Sequence, residues 1–176
     1  MPATEPFISE SESFFPEALV EATAAALNAA KKKNWRIAAA ETVTAGLVSA
    51  CLTSVSGASQ IFDRGYVLYH ESAKASGLGL DPDVKAKYGA VSQEVTTGLA
   101  EGLLEHSNAD VAIAVTGYAG PGGGSAANPV GTIYLAAASR GGETRKERHV
   151  FSGNRDNVRL NAVLAAIRLL TRQIEA

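Results

Sequence analysis

Four short stretches of this chain hold side chains that can do chemistry. The first, Ala40-Glu41-Thr42-Val43-Thr44-Ala45-Gly46, stands where an apolar run ends and a helix begins. A helix start presents unpaired N–H groups and the positive end of its dipole, which bind a phosphate or steady a developing oxyanion. Small residues at Ala45 and Gly46 let a ligand reach that backbone, with the hydroxyls of Thr42 and Thr44 beside it. A simpler reading also fits: one of the two Thr caps the helix and does nothing more. The second stretch, Tyr69-His70-Glu71-Ser72-Ala73-Lys74, lies at a strand end. A partly desolvated Lys there can have its pKa lowered and act as a base. Alternatively, Lys74 is a solvated helix residue paired to Glu71 at i, i+3. His70 stands close enough to line such a site.

The third stretch runs from Thr116 to Ser125 and contains Gly117, Gly120 and Gly122 to Gly124. Open α/β sheets bind ligands at the carboxyl ends of their strands, where this loop emerges. No Lys follows the glycines, so it is not a Walker loop. Pro129-Val130-Gly131 follows where a dinucleotide fingerprint needs a helix. A plain flexible loop is the rival, although long Gly-dense loops in compact domains are mostly functional. In the fourth stretch, Phe151-Ser152-Gly153-Asn154-Arg155-Asp156, an Arg stands at a helix start, against the dipole. Arg155 either holds a phosphate or carboxylate or is an exposed residue balancing Asp156.

Composition narrows the chemistry to these groups. One Cys in 176 residues gives neither a disulfide framework nor a Cys-rich zinc site. The three His (His70, His106, His149) are far apart, so no metal centre is expected. Net charge is −2 and pI about 5.9, which removes a general attraction for nucleic acid. No apolar run reaches the ~18 residues that span a bilayer, and the acidic start is unlike a signal peptide. A soluble, cytoplasmic protein without membrane or nucleic-acid partners is the expectation. Alanine accounts for 32 residues, which favours closely packed layers over large core anchors.

The elements that must position these groups follow from periodicity. Residues 1–12 are polar and aperiodic and read as a flexible arm, with 13–176 as one domain. Ser13 is expected to cap a first helix with Leu19, Ala22, Ala26, Leu27 and Ala30 on one face, closed by Lys31 to Lys33. Trp35 to Ala40 and Arg64 to Tyr69 read as strands, and Val111 to Val115 as a central strand buried on both faces. Short helices are expected over Ser72 to Ser76 and from Asp81 to about Gly89. A longer one after Ser92 carries Val95, Leu99, Leu103 and Leu104. Thr132 to Ser139 and Thr144 to Phe151 flank Gly141-Gly142 as a hairpin. A last helix from Arg155 has Val158, Ala162, Ala165 and Leu169 as its stripe. Helices alternating with strands predict a three-layer α/β/α sandwich with a mixed, mostly parallel sheet. Ala-rich helix faces pack between subunits as easily as within one, so a homo-oligomer stays open.

Phe62-Asp63-Arg64-Gly65-Tyr66-Val67-Leu68-Tyr69, Tyr88-Gly89-Ala90-Val91-Ser92, the run from Val115 to Ser125 and Pro129-Val130-Gly131-Thr132 together resemble one family. It is the CinA C-terminal domain, and the resemblance covers roughly residues 17 to 172. Its characterised activity is nicotinamide mononucleotide deamidation. The length resembles the stand-alone form, not the fusion behind a molybdopterin-binding-like domain. In the family a Ser in Ala-Glu-Ser-Cys-Thr-Gly-Gly is the proposed nucleophile, and a Lys following Tyr-x-Asn-x-x its base. The matching positions are Thr42 and Lys74, with Tyr69 the matching Tyr. Thr116 and Arg155 match family residues implicated in the site, and Glu41 and Thr44 also match. The resemblance implies attack by Thr42 on the carboxamide, proton transfer to Lys74 and oxyanion stabilisation by N–H groups near Val43 to Gly46. Arg155 and the loop from Thr116 would hold ribose or phosphate. No cofactor or metal is implied.

The chain departs from the family pattern at four places: Thr42 for Ser, Val43 for Cys, Ala45 for the first Gly, and Glu71 for Asn. A Thr methyl fixes χ1 and crowds the approach to a carbonyl. A carboxylate at Glu71 favours the charged form of a nearby Lys. Two alternatives therefore stay open. One is a catalytically impaired paralogue that binds a nucleotide as a sensor or regulatory partner. The other is an amidase for a different small amide, its pocket reshaped by Glu71 and His70.

Overall fold

The computed structural model describes residues 13–176, apart from the side chains of Lys74, Ala75 and Ser76. The arm expected over 1–12 lies outside the described residues. Five strands, β1 (Ile37–Glu41), β2 (Phe62–Val67), β3 (Val111–Gly117), β4 (Thr132–Ser139) and β5 (Arg145–Val150), form one sheet in the order β2-β1-β3-β4-β5. β1 pairs parallel with β2 and β3, while β4 is antiparallel to both its neighbours. Four strands therefore point one way and only β4 is reversed. The sheet is mixed, as the alternation of elements predicts.

The helices are α1 (Glu17–Lys33), α2 (Leu47–Thr53), α3 (Glu71–Gly77), α4 (Pro82–Tyr88), α5 (Gln93–Glu105) and α6 (Arg155–Glu175). Side chains alternate faces along a strand, and here the two faces differ in size. Ile37, Ala39, Val111, Ile113, Val115, Ile133 and Leu135 point toward α1, α2 and α6. Ala38, Ala40, Ala112, Ala114, Ala136 and Ala138 point toward α5. The register lines these alanines up as two rows, Ala38–Ala112–Ala138 and Ala40–Ala114–Ala136. A methyl-paved face lets α5 lie close, with Val95, Leu99 and Leu103 fully buried against it. Much of the alanine excess is thus a close-packing device between two layers.

Several boundaries differ from expectation. The first helix begins after Pro16, and the Ser13 hydroxyl bonds Phe15 instead of capping it. Ala22 and Ala165 are only half-buried, while Thr23, Ala166 and Leu170 are fully buried. β2 starts two residues early because Phe62 already pairs with Ile37. It ends at Val67, so Tyr69 has left the sheet. β3 runs on to Gly117, and the Gly141-Gly142 turn closes the β4–β5 hairpin as expected. Cys51 is core, as expected: it is fully buried, and burial pushes its thiol pKa up. No helix among the described residues is long and apolar enough to cross a membrane.

Candidate active site

The four co-directional strands end at one edge of the sheet, and each of the four chemically equipped stretches emerges there. β1 runs into Thr42, β2 into Tyr69, β3 into the glycine-rich loop and β5 into Arg155. Between them lies a cavity of about 300 Å³, lined by Thr42, Val43, Tyr69, Glu71, Ala90, Val91, Gly117 to Gly120, Gly122 and Arg155. That is the small end of the ligand-pocket range, roughly 300–1,000 Å³. Wider hollows of about 460 and 770 Å³ lie beside α5 and under the β4–β5 hairpin, but no residue of the four stretches lines them.

The turn from β1 into α2 corrects one expectation. Its helix start offers no phosphate site, because the protein fills it with its own carboxylate. Glu41, wholly buried, accepts from the N–H groups of Gly46 (3.0 Å) and Val48 (2.9 Å) through Oε2. Its Oε1 accepts from the Ser49 N–H (2.8 Å) and Ser49 Oγ (2.7 Å). Helix-start donors and dipole stabilise such a buried anion. Neither Thr caps α2, whose N-cap is Gly46 with no side-chain bond. The turn reverses through two left-handed residues, Ala45 (φ 49) and Gly46 (φ 96). Glu41, Thr44, Ala45 and Gly46 do not line the cavity. The Thr44 hydroxyl is buried without a partner among the described residues.

Thr42 does face the cavity, at 5% exposure. Its Oγ1 donates to the carbonyl of Val115 at 3.1 Å, as does its own N–H. Thr116 does not reach the cavity. It is fully buried, and its hydroxyl lies 2.7 Å from Thr96 Oγ1. The Thr96 hydroxyl already donates to the Ser92 carbonyl, so Thr116 is the donor and ties β3 to α5.

Arg155 lies at the cavity and bonds there, not to Asp156. Nη1 donates to the Gly120 carbonyl and Nη2 to the Tyr69 hydroxyl, both at 2.8 Å. Asp156 instead approaches Arg159, at 4.0 Å. A guanidinium has five N–H donors, so Arg155 keeps three for a ligand. Glu71 stands at the cavity wall and pairs with Lys85 Nζ of α4 at 3.3 Å. The backbone of Lys74 is in α3, while its side chain lies outside the described residues. His70 caps α3, accepting from the Ser72 N–H, and does not line the cavity.

The glycine-rich loop is anchored at its base by Tyr118 N–H to Thr132 O and Gly131 N–H to Tyr118 O. A side chain at 117 would strike the Thr132 carbonyl and Ile133, each 2.5 Å from a Cβ there. Among the described residues no group of three His, Cys, Asp or Glu side chains is placed to hold a metal.

Residue-by-residue reasoning missed Ala90 and Val91, which carried family resemblance but no assigned chemistry. It also missed Tyr118, Ala119 and Arg159. Arg159 donates through Nε to the Val43 carbonyl (3.2 Å) and through Nη2 to the Thr44 carbonyl (3.0 Å). The available signal was a second Arg one helical turn after Arg155.

The CinA C-terminal domain model matches residues 19–174. A CinA-like protein of Akkermansia muciniphila is 48% identical over 128 residues, covering 73% of this chain and 31% of that protein. The chain thus spans about a third of that relative's length. A nicotinamide-nucleotide amidohydrolase PncC of Enterobacter agglomerans is 41% identical over 145 residues, covering 82% of this chain and 88% of that one. Among solved structures, the competence/damage inducible protein CihA of Agrobacterium tumefaciens matches with a TM-score of 0.89 at 35% identity, over 92% of this chain and 98% of that one. With its family match, its relatives and its fold in agreement, the chain belongs to the CinA C-terminal domain family.

Proposed function

We propose that this chain is an amidohydrolase acting on nicotinamide mononucleotide, releasing ammonia and leaving nicotinate mononucleotide. The observation that carries the reading is the single cavity that draws on all four stretches, with a hydroxyl (Thr42) at one wall and a guanidinium (Arg155) at another. Relatives named as nicotinamide-nucleotide amidohydrolases, matched over most of their length, support the substrate class.

In this mechanism Thr42 Oγ1 attacks the carboxamide carbon and its proton passes to Lys74. The carbonyl electrons move onto oxygen and return as the C–N bond breaks. Lys74 then gives the proton to the leaving nitrogen, and ammonia departs. The resulting ester is attacked by water, whose proton Lys74 takes. The C–O bond to Thr42 breaks, and Thr42 recovers its proton. The attacking hydroxyl must first leave the Val115 carbonyl, a bond worth about 1 kcal/mol net. That is small beside the 8–23 kcal/mol by which enzymes typically lower a barrier. Arg155, steadied by Gly120 and Tyr69, presents its remaining donors to the phosphate.

One observation favours a second reading, in which the chain binds a nucleotide without turning it over. The Thr42 proton rests on a backbone carbonyl, and a carboxylate, Glu71, stands in the cavity wall. One assay separates the two. Purified protein is incubated with nicotinamide mononucleotide, and nicotinate mononucleotide and ammonia are followed. Turnover abolished by Thr42→Ala and by Lys74→Ala supports hydrolysis. Calorimetric binding without turnover supports the second reading, as does activity gained only on combining Thr42→Ser with Glu71→Asn. Full activity in Lys74→Ala removes the Lys-base mechanism.

A further inference from the structure

We infer that Arg148 and Tyr134 are positioning residues for Arg155, acting on it through the glycine-rich loop. The inference rests on the reading above, in which Arg155 presents donors to the substrate phosphate. The loop between β3 and β4 is folded well beyond its base. Ser125 and Asn128 close a turn, with the Ser125 N–H donating to the Asn128 carbonyl at 2.8 Å and the Asn128 N–H to Ser125 Oγ at 3.1 Å. The two arms of the loop then lie against each other. A Cβ at position 124 would stand 2.9 Å from both the Asn128 carbonyl oxygen and the Val130 nitrogen, and one at position 120 would stand 2.6 Å from Val130 Cγ1. Glycine permits that approach, so the arm that lines the cavity rests on residues 128–130.

Those residues are braced by the sheet. Tyr134 Oη of β4 donates to Asn128 Oδ1 at 2.6 Å. Arg148 Nη2 of β5 donates to the Ala127 carbonyl at 3.0 Å and approaches Asn128 Oδ1 at 3.5 Å. The register sets Tyr134 opposite Arg148, with the guanidinium 5.8 Å from the ring centre, a cation–π distance. Neither residue lines the cavity. Their reach into it runs through Asn128 and Val130 to Gly120, whose carbonyl is one of the two anchors of the Arg155 guanidinium. The other anchor, Tyr69, is 59% exposed and has left the sheet. Gly120 is therefore the firmer of the two, and its firmness comes from β4 and β5. A loop ordered in advance spares the ligand the cost of ordering it.

The test is a double-mutant cycle on the full chain: Arg148→Ala, Arg155→Ala and the two combined, with Tyr134→Phe as a milder cut of the same brace. A hydrogen bond to a charged group is worth roughly tenfold or more and a neutral one about fivefold, and part of that should reach Arg155. The expected result is a KM for nicotinamide mononucleotide raised roughly 3- to 10-fold in Arg148→Ala and about 2- to 5-fold in Tyr134→Phe, with kcat within about threefold, the pattern of lost uniform binding. In the Arg155→Ala background, Arg148→Ala should add less than about twofold, because residues acting through one group do not add. General loosening of the fold would penalise both backgrounds alike. An equal rise in both therefore overturns the inference, as does a rise of less than about threefold in Arg148→Ala alone. A second measurement is independent of turnover: the ¹H–¹⁵N order parameter of the Gly120 amide should fall in Arg148→Ala and Tyr134→Phe, and an unchanged value overturns the brace. If the parent does not hydrolyse nicotinamide mononucleotide, the hydrolytic reading fails by itself. The same cycle run on the calorimetric Kd for that nucleotide then decides the inference, which falls if the parent does not bind it.

Discussion

Glu41→Gln keeps the side chain's shape and removes its charge, so it isolates what the buried carboxylate does. Glu41 accepts four hydrogen bonds, two on each oxygen. A glutamine must place an NH2 group where one of those oxygens was. At Oε2 it would oppose two N–H donors, Gly46 and Val48. At Oε1 it meets one N–H, of Ser49, and a hydroxyl that can rotate to accept. The second orientation is the cheaper and still orphans one backbone donor, at about 1–3 kcal/mol. The remaining bonds lose their charge assistance and the helix start loses its anion, another ~1 kcal/mol. The total is about 3 kcal/mol, or roughly 6–12 °C in Tm for a chain of this length. Urea unfolding monitored by circular dichroism measures it directly. A loss below about 0.5 kcal/mol would refute the account of Glu41 as the internal cap of α2. A rise in KM with unchanged stability would instead return Glu41 to a substrate-binding role.

Ala45→Gly removes left-handed strain of ~1–2 kcal/mol but loosens the unfolded chain by ~0.4–1 kcal/mol. The net expectation is a gain of about 0.5 kcal/mol, read by thermal unfolding. Arg155→Ala should raise the KM for nicotinamide mononucleotide about 10- to 100-fold, the worth of hydrogen bonds to a charged group, with kcat less affected. Steady-state kinetics checks this. Cys51 should resist a thiol reagent such as DTNB until the protein unfolds, because burial removes access and pushes its pKa up. The sign for stability follows. Below the thiol's ordinary pKa both states are protonated and stability is unaffected. Above it the unfolded chain ionises first, so stability falls as pH rises, and a Cys51→Ser variant should lack that fall.

Much of this was legible in order and type of element. The apolar run Val111 to Val115, the alternation of helix and strand, and the Gly141-Gly142 hairpin all carry local signals that tertiary packing did not override. The stretches with chemistry were legible too, since hydroxyls, a guanidinium and clustered glycines stand out where Cys and His are scarce. What failed were roles that depend on who arrives from elsewhere. The helix start after Gly46 reads as an anion site, and it is one, but the anion is Glu41 from the preceding strand. Thr116 belongs to the glycine-rich stretch by sequence and to the β3–α5 contact by geometry. The Glu71 carboxylate takes a partner from another helix, Lys85.

By itself, then, the sequence determined the layer architecture, the face each strand buries and the family, because those depend on periodicity and on residue types at fixed spacing. Only the tertiary structure decided that Thr42, Tyr69, Gly120 and Arg155 meet at one cavity. The reason is strand direction. β5 returns through the antiparallel β4 and so ends on the same edge as β1, β2 and β3. That return places α6, and with it Arg155 and Arg159, against turns more than 30 and more than 110 residues away in the chain.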